Sequence, residues 1–172
     1  MSNYTFSSIK PLDKVSFLST GFFLCVLHAD KIPPHIGVLK DGLYYSLKAK
    51  GKDVAIPYVE LLKVVNRKLI STLFVEMNKN VSNEVIEKVY GNYEKAIAYE
   101  ASCLSPLKEI FSHGDTVQKL DDFLVEINHQ GFIKNVYSLF LPEDYCKIPL
   151  YEVNEIHSRL EKLNSKLKIK HV

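Results

Sequence analysis

The sequence predicts a single α+β domain: a small antiparallel sheet packed against helices, with a helical C-terminal extension. Three observations predict it. A hairpin signature centres on Asp41-Gly42, the apolar residues take helical spacing from Pro57 onward, and a short β-branched and aromatic run returns at Ser71 to Met77. With 172 residues the chain is long enough to bury one core and short for two. Its 47% hydrophobic and 24% charged residues are globular values, which argues against a disordered or fibrous chain.

Taken in order, residues 1–14 are polar and read as a loosely held arm, with Leu12-Asp13-Lys14 leading toward the first strand. Phe22 to Leu27 is a short run rich in aromatic and β-branched residues, the pattern of a buried strand. Lys31-Ile32-Pro33-Pro34 ends it, because proline has no amide donor for a ladder and restricts the residue before it. A new strand therefore begins at His35. His35 to Leu39 and Leu43 to Leu47 flank Asp41-Gly42, which supplies the positive φ values of a tight hairpin turn. Lys48-Ala49-Lys50-Gly51-Lys52-Asp53 reads as a basic, solvated loop and not as a glycine-rich phosphate cradle. From Pro57 to Arg67, Val59, Leu61, Leu62, Val64 and Val65 fall at helical spacings, with Pro57 acceptable in the first turn.

Thr72 to Glu76 reads as a further strand, and Ser82 as the N-cap of a helix whose apolar face is Val85, Ile86 and Val89. That helix ends near Gly91 or continues through a kink to Ala98. Pro106 fits only the first turn of the next helix, Leu107 to Phe111, so Cys103 lies at or just before its start. Residues 116–172 are mainly helical in pattern, with stripes at Val117, Leu120, Leu124 and Ile127 and at Val153, Ile156, Leu160, Leu163 and Leu167. Phe132 to Leu141 is compatible with strand or helix. The last stripe spans too few heptads for a coiled coil and reads as a packing face.

Composition also limits function. A net charge of +2 with dispersed lysines gives no footprint for nucleic acid. No segment approaches the roughly 20 apolar residues of a membrane span, so no integral membrane segment is expected. Cys25, Cys103 and Cys146 are odd in number and widely spaced, which argues against a disulfide framework and for a reducing compartment, so a cytoplasmic location is expected. The rival is an export signal, since Lys10 and Lys14 precede the apolar run Val15 to Leu27, which ends in Leu27-His28-Ala29. His28, His35, Cys103 and His113 offer no pair at close metal-ligand spacing, and neither metal nor other cofactor is expected.

One pairing carries chemistry. A thiol nucleophile needs a base and a setting that favours thiolate, and a helix start supplies the setting through unpaired amides. Cys103 has that setting. His35, held by two prolines at the start of a strand, is a rigidly presented base, and the hairpin brings Ser46 or Tyr44 beside it to orient the ring. The plain alternatives are a small buried cysteine, a strand-edge histidine bonded to backbone and a structural hydroxyl.

The runs Pro34-His35-Ile36-Gly37-Val38, Asp41-Gly42 and Tyr44-Tyr45-Ser46-Leu47, followed far downstream by Ser102-Cys103-Leu104-Ser105-Pro106-Leu107, resemble the circularly permuted NlpC-like, papain-like cysteine hydrolases and acyltransferases, including the lecithin retinol acyltransferase group. There the histidine strand precedes the cysteine helix, the order found here. The helix from Val85, with Tyr90, Gly91 and Tyr99 nearby, is similar too. The resemblance covers residues 12–115 as a papain-like core and leaves 116–172 outside. In the acyltransferase group a second histidine stands where this chain has Ser46, and an asparagine commonly stands where it has Ser102. The resemblance implies attack of Cys103 on an amide, ester or thioester carbonyl, with His35 as base, Ser46 as the orienting group, and an acyl-enzyme passed to water or an acceptor. The substrate would be a small-molecule, lipid or peptide acyl compound. The alternative is a non-catalytic interaction domain on the same scaffold, with a protein partner bound through the C-terminal helices.

Overall fold

The computed structural model describes residues 3–169. Its centre is β2 (Phe22–Leu27), the middle strand of a seven-stranded sheet with the order β1 (Lys10–Pro11), β7 (Ile133–Leu139), β6 (Thr72–Met77), β2, β3 (His35–Lys40), β4 (Leu43–Lys48) and β5 (Gly51–Pro57). All six residues of β2 are buried. Both faces of the sheet are covered, so a central strand reads as an unbroken apolar run and not as an alternation. β2 pairs antiparallel with β3 (His35–Lys40) on one side and with β6 (Thr72–Met77) on the other. The apolar run that could pass for an export signal thus supplies a short 3-10 turn, Val15–Ser19, and this central strand.

The hairpin forms as expected. β3 and β4 (Leu43–Lys48) are joined by Asp41 and Gly42 at φ 47° and 79°. Asp41 also accepts a hydrogen bond from the Gly21 amide at 2.9 Å, which ties the turn to the start of β2. α1 (Tyr58–Lys68) buries Leu61, Leu62 and Val65 and leaves Val59 and Val64 outside. α2 (Asn83–Gly91) starts at Ser82, whose hydroxyl accepts from the Val85 amide at 3.3 Å, and it ends at Gly91.

The α+β class and the C-terminal helix form as expected, and three details need correction. The sheet is mixed and seven-stranded, larger than the small antiparallel sheet expected, because β1 runs parallel to β7. The polar arm is not loose: Lys10–Pro11 forms β1, and Phe6 and Leu12 are buried. The basic segment is no solvated loop, since Gly51–Pro57 forms β5, the sheet edge paired antiparallel with β4. Charges and a proline on such an edge blunt its pairing with other chains. Of the two readings open for 132–141 the strand is the one that forms: Ile133–Leu139 is β7, which carries part of the C-terminal region into the sheet between β1 and β6.

Two apolar clusters sandwich the sheet. One face gathers Val26, Ile36, Val38, Tyr45 and Leu47 against α2, α3 (Ser105–Ile110), α4 (Leu120–His129) and Leu160 of α5 (Val153–Ile169). The other gathers Phe23, Cys25, Leu39, Tyr44 and Phe74 against α1 and Leu18. No described helix is long and apolar enough to cross a membrane.

Candidate functional site

His35 opens β3 and Cys103 lies two residues ahead of α3, and the two line one cavity of about 450 Å³. The turn that carries Cys103 is fixed by two serines. Ser105 Oγ accepts from the Ser102 amide at 2.9 Å, and Ser102 Oγ accepts from the Leu104 amide at 3.2 Å. Pro106 occupies the first turn of α3, where its missing amide costs nothing. Ser102 therefore holds the local backbone.

The thiol's surroundings differ from the expectation. Cys103 is only partly buried as a residue, yet its sulfur is enclosed closely enough that burial pushes the thiol above its ordinary value. Two backbone amides, those of Ile36 and of Cys103 itself, oppose the shift by hydrogen bonding, and Arg159 adds a weaker opposing charge. The start of a six-residue helix does not outweigh desolvation, so the resting group is a neutral thiol.

The histidine is held neutral as well. Burial pulls the His35 imidazole down to about 4, opposed chiefly by the Asp53 carboxylate and reinforced by Lys48, His28 and Arg159. Its buried Nε2 has no hydrogen-bond partner among the described residues. A neutral ring with a free nitrogen is a proton acceptor in waiting.

Strand register explains why Asp53 matters. Gly37 lies directly opposite Ser46, and Ser46 directly opposite Asp53, so alternation sets His35, Ser46 and Asp53 on the sheet face of Leu39 and Tyr44, whereas Cys103 packs against the cluster on the other face and meets His35 only at the cavity by the strand end. Ser46 is fully buried and donates to Asp53 Oδ2 at 2.7 Å, while Lys48 Nζ donates to Asp53 Oδ1 at 2.7 Å. The Tyr44 ring lies over Gly37, and its hydroxyl is beside Ser46. Ser46 thus lies opposite Gly37, one step diagonal from His35, and among the described residues its side-chain hydrogen bond is to Asp53, a carboxylate that a reading of 48–53 as loop does not reveal.

The cavity is completed by residues far along the chain. Leu120, Tyr151 and the α5 residues Ile156, Arg159, Leu160 and Leu163 line it. α5 is fastened by Asn164, which accepts from the Ala98 amide at 3.4 Å and donates to the Ala96 carbonyl at 3.2 Å. His157 Nδ1 accepts from the Tyr99 amide at 3.0 Å, and the two rings stack. Of the other cysteines, Cys25 is buried in β2 and Cys146 is exposed. Among the described residues no group of three or more His, Cys, Asp or Glu side chains is placed to hold a metal ion.

Comparison with protein-family models, with curated proteins and with solved structures returns no match.

The buried imidazole has a consequence for stability. Its folded value lies below the ordinary histidine value near 6.5, so below about pH 6.5 the unfolded chain binds the extra proton first. Stability is therefore complete above that value and falls as the pH drops toward the folded value. A loss of about 2 kcal/mol is expected between roughly pH 7 and roughly pH 5. Urea unfolding at the two pH values measures it, and His35→Asn should flatten the difference; an equal loss in that variant would assign the effect elsewhere.

Proposed function

We propose that the protein is a thiol hydrolase or acyltransferase of the permuted papain-like type, with Cys103 as nucleophile and His35 as general base. The observation that carries this reading is that Cys103 and His35, whose buried Nε2 has no hydrogen-bond partner among the described residues, line one cavity. With both groups neutral at rest, the thiol proton passes to His35 Nε2 as the sulfur attacks an ester, thioester or amide carbonyl. The amides of Ile36 and Cys103 stabilise the sulfur's negative charge as it forms. The tetrahedral intermediate collapses to a thioester on Cys103, and His35 returns the proton to the leaving group. Water or another acceptor, deprotonated by the same imidazole, then releases the acyl group.

In this reading Ser46 and Asp53 are positioning residues. With Ser46 donating to Asp53, its oxygen is free to accept a hydrogen bond from the imidazole, which sets the ring's tautomer and angle. The order of histidine strand, orienting strand and cysteine helix supports the papain-like assignment.

The test is acyl capture. Incubation with activated acyl esters and thioesters, followed by intact-mass analysis, is expected to give a single acyl adduct on Cys103 that a Cys103→Ala variant does not form. An adduct distributed over Cys25, Cys146 and lysines, or none with any ester, would sink the assignment. A second reading is favoured by the depression of the His35 imidazole to about 4, which leaves it a weak base: a non-catalytic domain that keeps the cavity and binds a partner through α5. It is distinguished by partner binding that survives Cys103→Ala without any acyl adduct.

A further inference from the structure

The cavity's walls and its charges point in one direction. Leu47, Leu104, Leu120, Ile156, Leu160 and Leu163 give it a mainly aliphatic lining, and its size falls within the roughly 300–1,000 Å³ of small-molecule sites. Around that lining stand Lys31, Lys48, Lys119 and Arg159, and among the described residues no aspartate or glutamate borders the cavity. Lys48 is neutralised by Asp53 at 2.7 Å, and Lys119 donates to the Tyr151 carbonyl at 3.2 Å. Lys31 and Arg159 form no ion pair among the described residues. An apolar site rimmed by cations of one sign, two of them without counter-ions, lacks a negative charge that its ligand would bring.

We propose that the cavity takes an aliphatic acyl compound whose non-reacting end carries an oxyanion, a carboxylate or a phosphate, and that Arg159 is the specificity-determining residue that receives it. The proposal deepens the acyl-transfer reading and rests on it for treating this cavity as the substrate site. Arg159 projects from α5 at the cavity mouth, and its positive charge reaches both the His35 ring and the Cys103 sulfur. A guanidinium matches either oxyanion with two parallel hydrogen bonds, which a lysine's point charge cannot do. Leu160, its neighbour on the same helix, is buried against the core and fixes the side of α5 from which Arg159 reaches the mouth.

The experiment is calorimetric titration of the folded Cys103→Ala protein, in which no acyl-enzyme forms, with decanoate, decyl phosphate and the uncharged isostere decanamide. At least one anion is expected to bind about tenfold or more tighter than decanamide, and which one does so separates carboxylate from phosphate. Arg159→Gln should erase that preference and leave decanamide binding unchanged, whereas Arg159→Lys should retain part of it. Arg159 is exposed, so the fold does not depend on it. Equal affinity for anion and amide, a preference that survives Arg159→Gln, or no binding by any probe overturns the proposal. Acylation of Cys103 in the wild-type chain is read separately: it can persist when the anion preference fails, and the preference can hold when acylation is absent.

Discussion

His35→Ala is expected to slow acylation of Cys103 by about 10²–10⁴-fold, the largest effect of any single replacement that leaves the nucleophile in place. The reason lies in the resting state. Burial keeps Cys103 as a thiol, so little thiolate exists for attack, and the proton must leave as the sulfur–carbon bond forms. Among the described residues His28 is the other imidazole on the cavity, and the remaining basic side chains there are lysines and an arginine. Stopped-flow measurement with an activated thioester reads the rate. A His35→Ala rate within threefold or so of wild type would remove the general-base role.

Asp53→Asn should act in the same direction but more weakly, by about tenfold, because Asp53 works through Ser46 and through its charge. The pH profile separates positioning from simple damage. Asp53 raises the His35 value, and the charge of Lys48, released from its ion pair, lowers it further. The acid limb of the acylation profile should therefore move to lower pH in Asp53→Asn. A lower rate with an unmoved limb would mean that the substitution disturbs the sheet and not the ring.

What the sequence makes legible is what short-range chemistry determines. β2, the Asp41-Gly42 hairpin, α1 and the Ser82 cap each have their cause within a few residues, and each forms close to the expected place. β5 does not, because Gly51-Lys52-Asp53 has the composition of a turn and the register slips between Tyr44 and Ser46. Lys52, which looks solvated in the sequence, donates to the carbonyls of Tyr90 and Tyr93 at 3.0 and 2.8 Å. β1 escapes for another reason: two residues, Lys10 and Pro11, carry no period, and their partner β7 lies at the far end of the chain. The same division runs through the site. His35, Ser46 and Cys103 could be singled out by residue type and local setting, whereas Asp53 needs the β4–β5 register and Arg159 needs the placement of α5. The thiol's raised value likewise depends on surroundings built from distant segments, which no local rule for a helix start contains.

Gly37→Ala is expected to cost about 3 kcal/mol or more in folding stability, the upper range for overpacking. The glycine of His35-Ile36-Gly37 has no unusual φ to preserve, and its need is for space. A Cβ there would lie 2.6 Å from the Tyr45 carbonyl oxygen and 2.7 Å from both Cε2 and the hydroxyl of Tyr44. The carbonyl belongs to the β4 backbone, where Tyr45 pairs with Val38 of β3 at the register shift toward β5, and the Tyr44 ring is 3% exposed among Leu39, Cys25 and Phe74. Neither can withdraw without opening the sheet beside Ser46. Tyr44→Phe added to Gly37→Ala should recover only part of the loss, because it removes the hydroxyl contact and leaves the carbonyl in place. Gly91→Ala is the matched control: nothing lies within 4 Å of a Cβ at that last position of α2, so it should be neutral or slightly stabilising. Urea unfolding of the three variants decides the point. If Gly37→Ala is as stable as wild type, β3 and β4 are not packed as closely as this geometry requires, and the face that sets Ser46 and Asp53 behind His35 is not rigid.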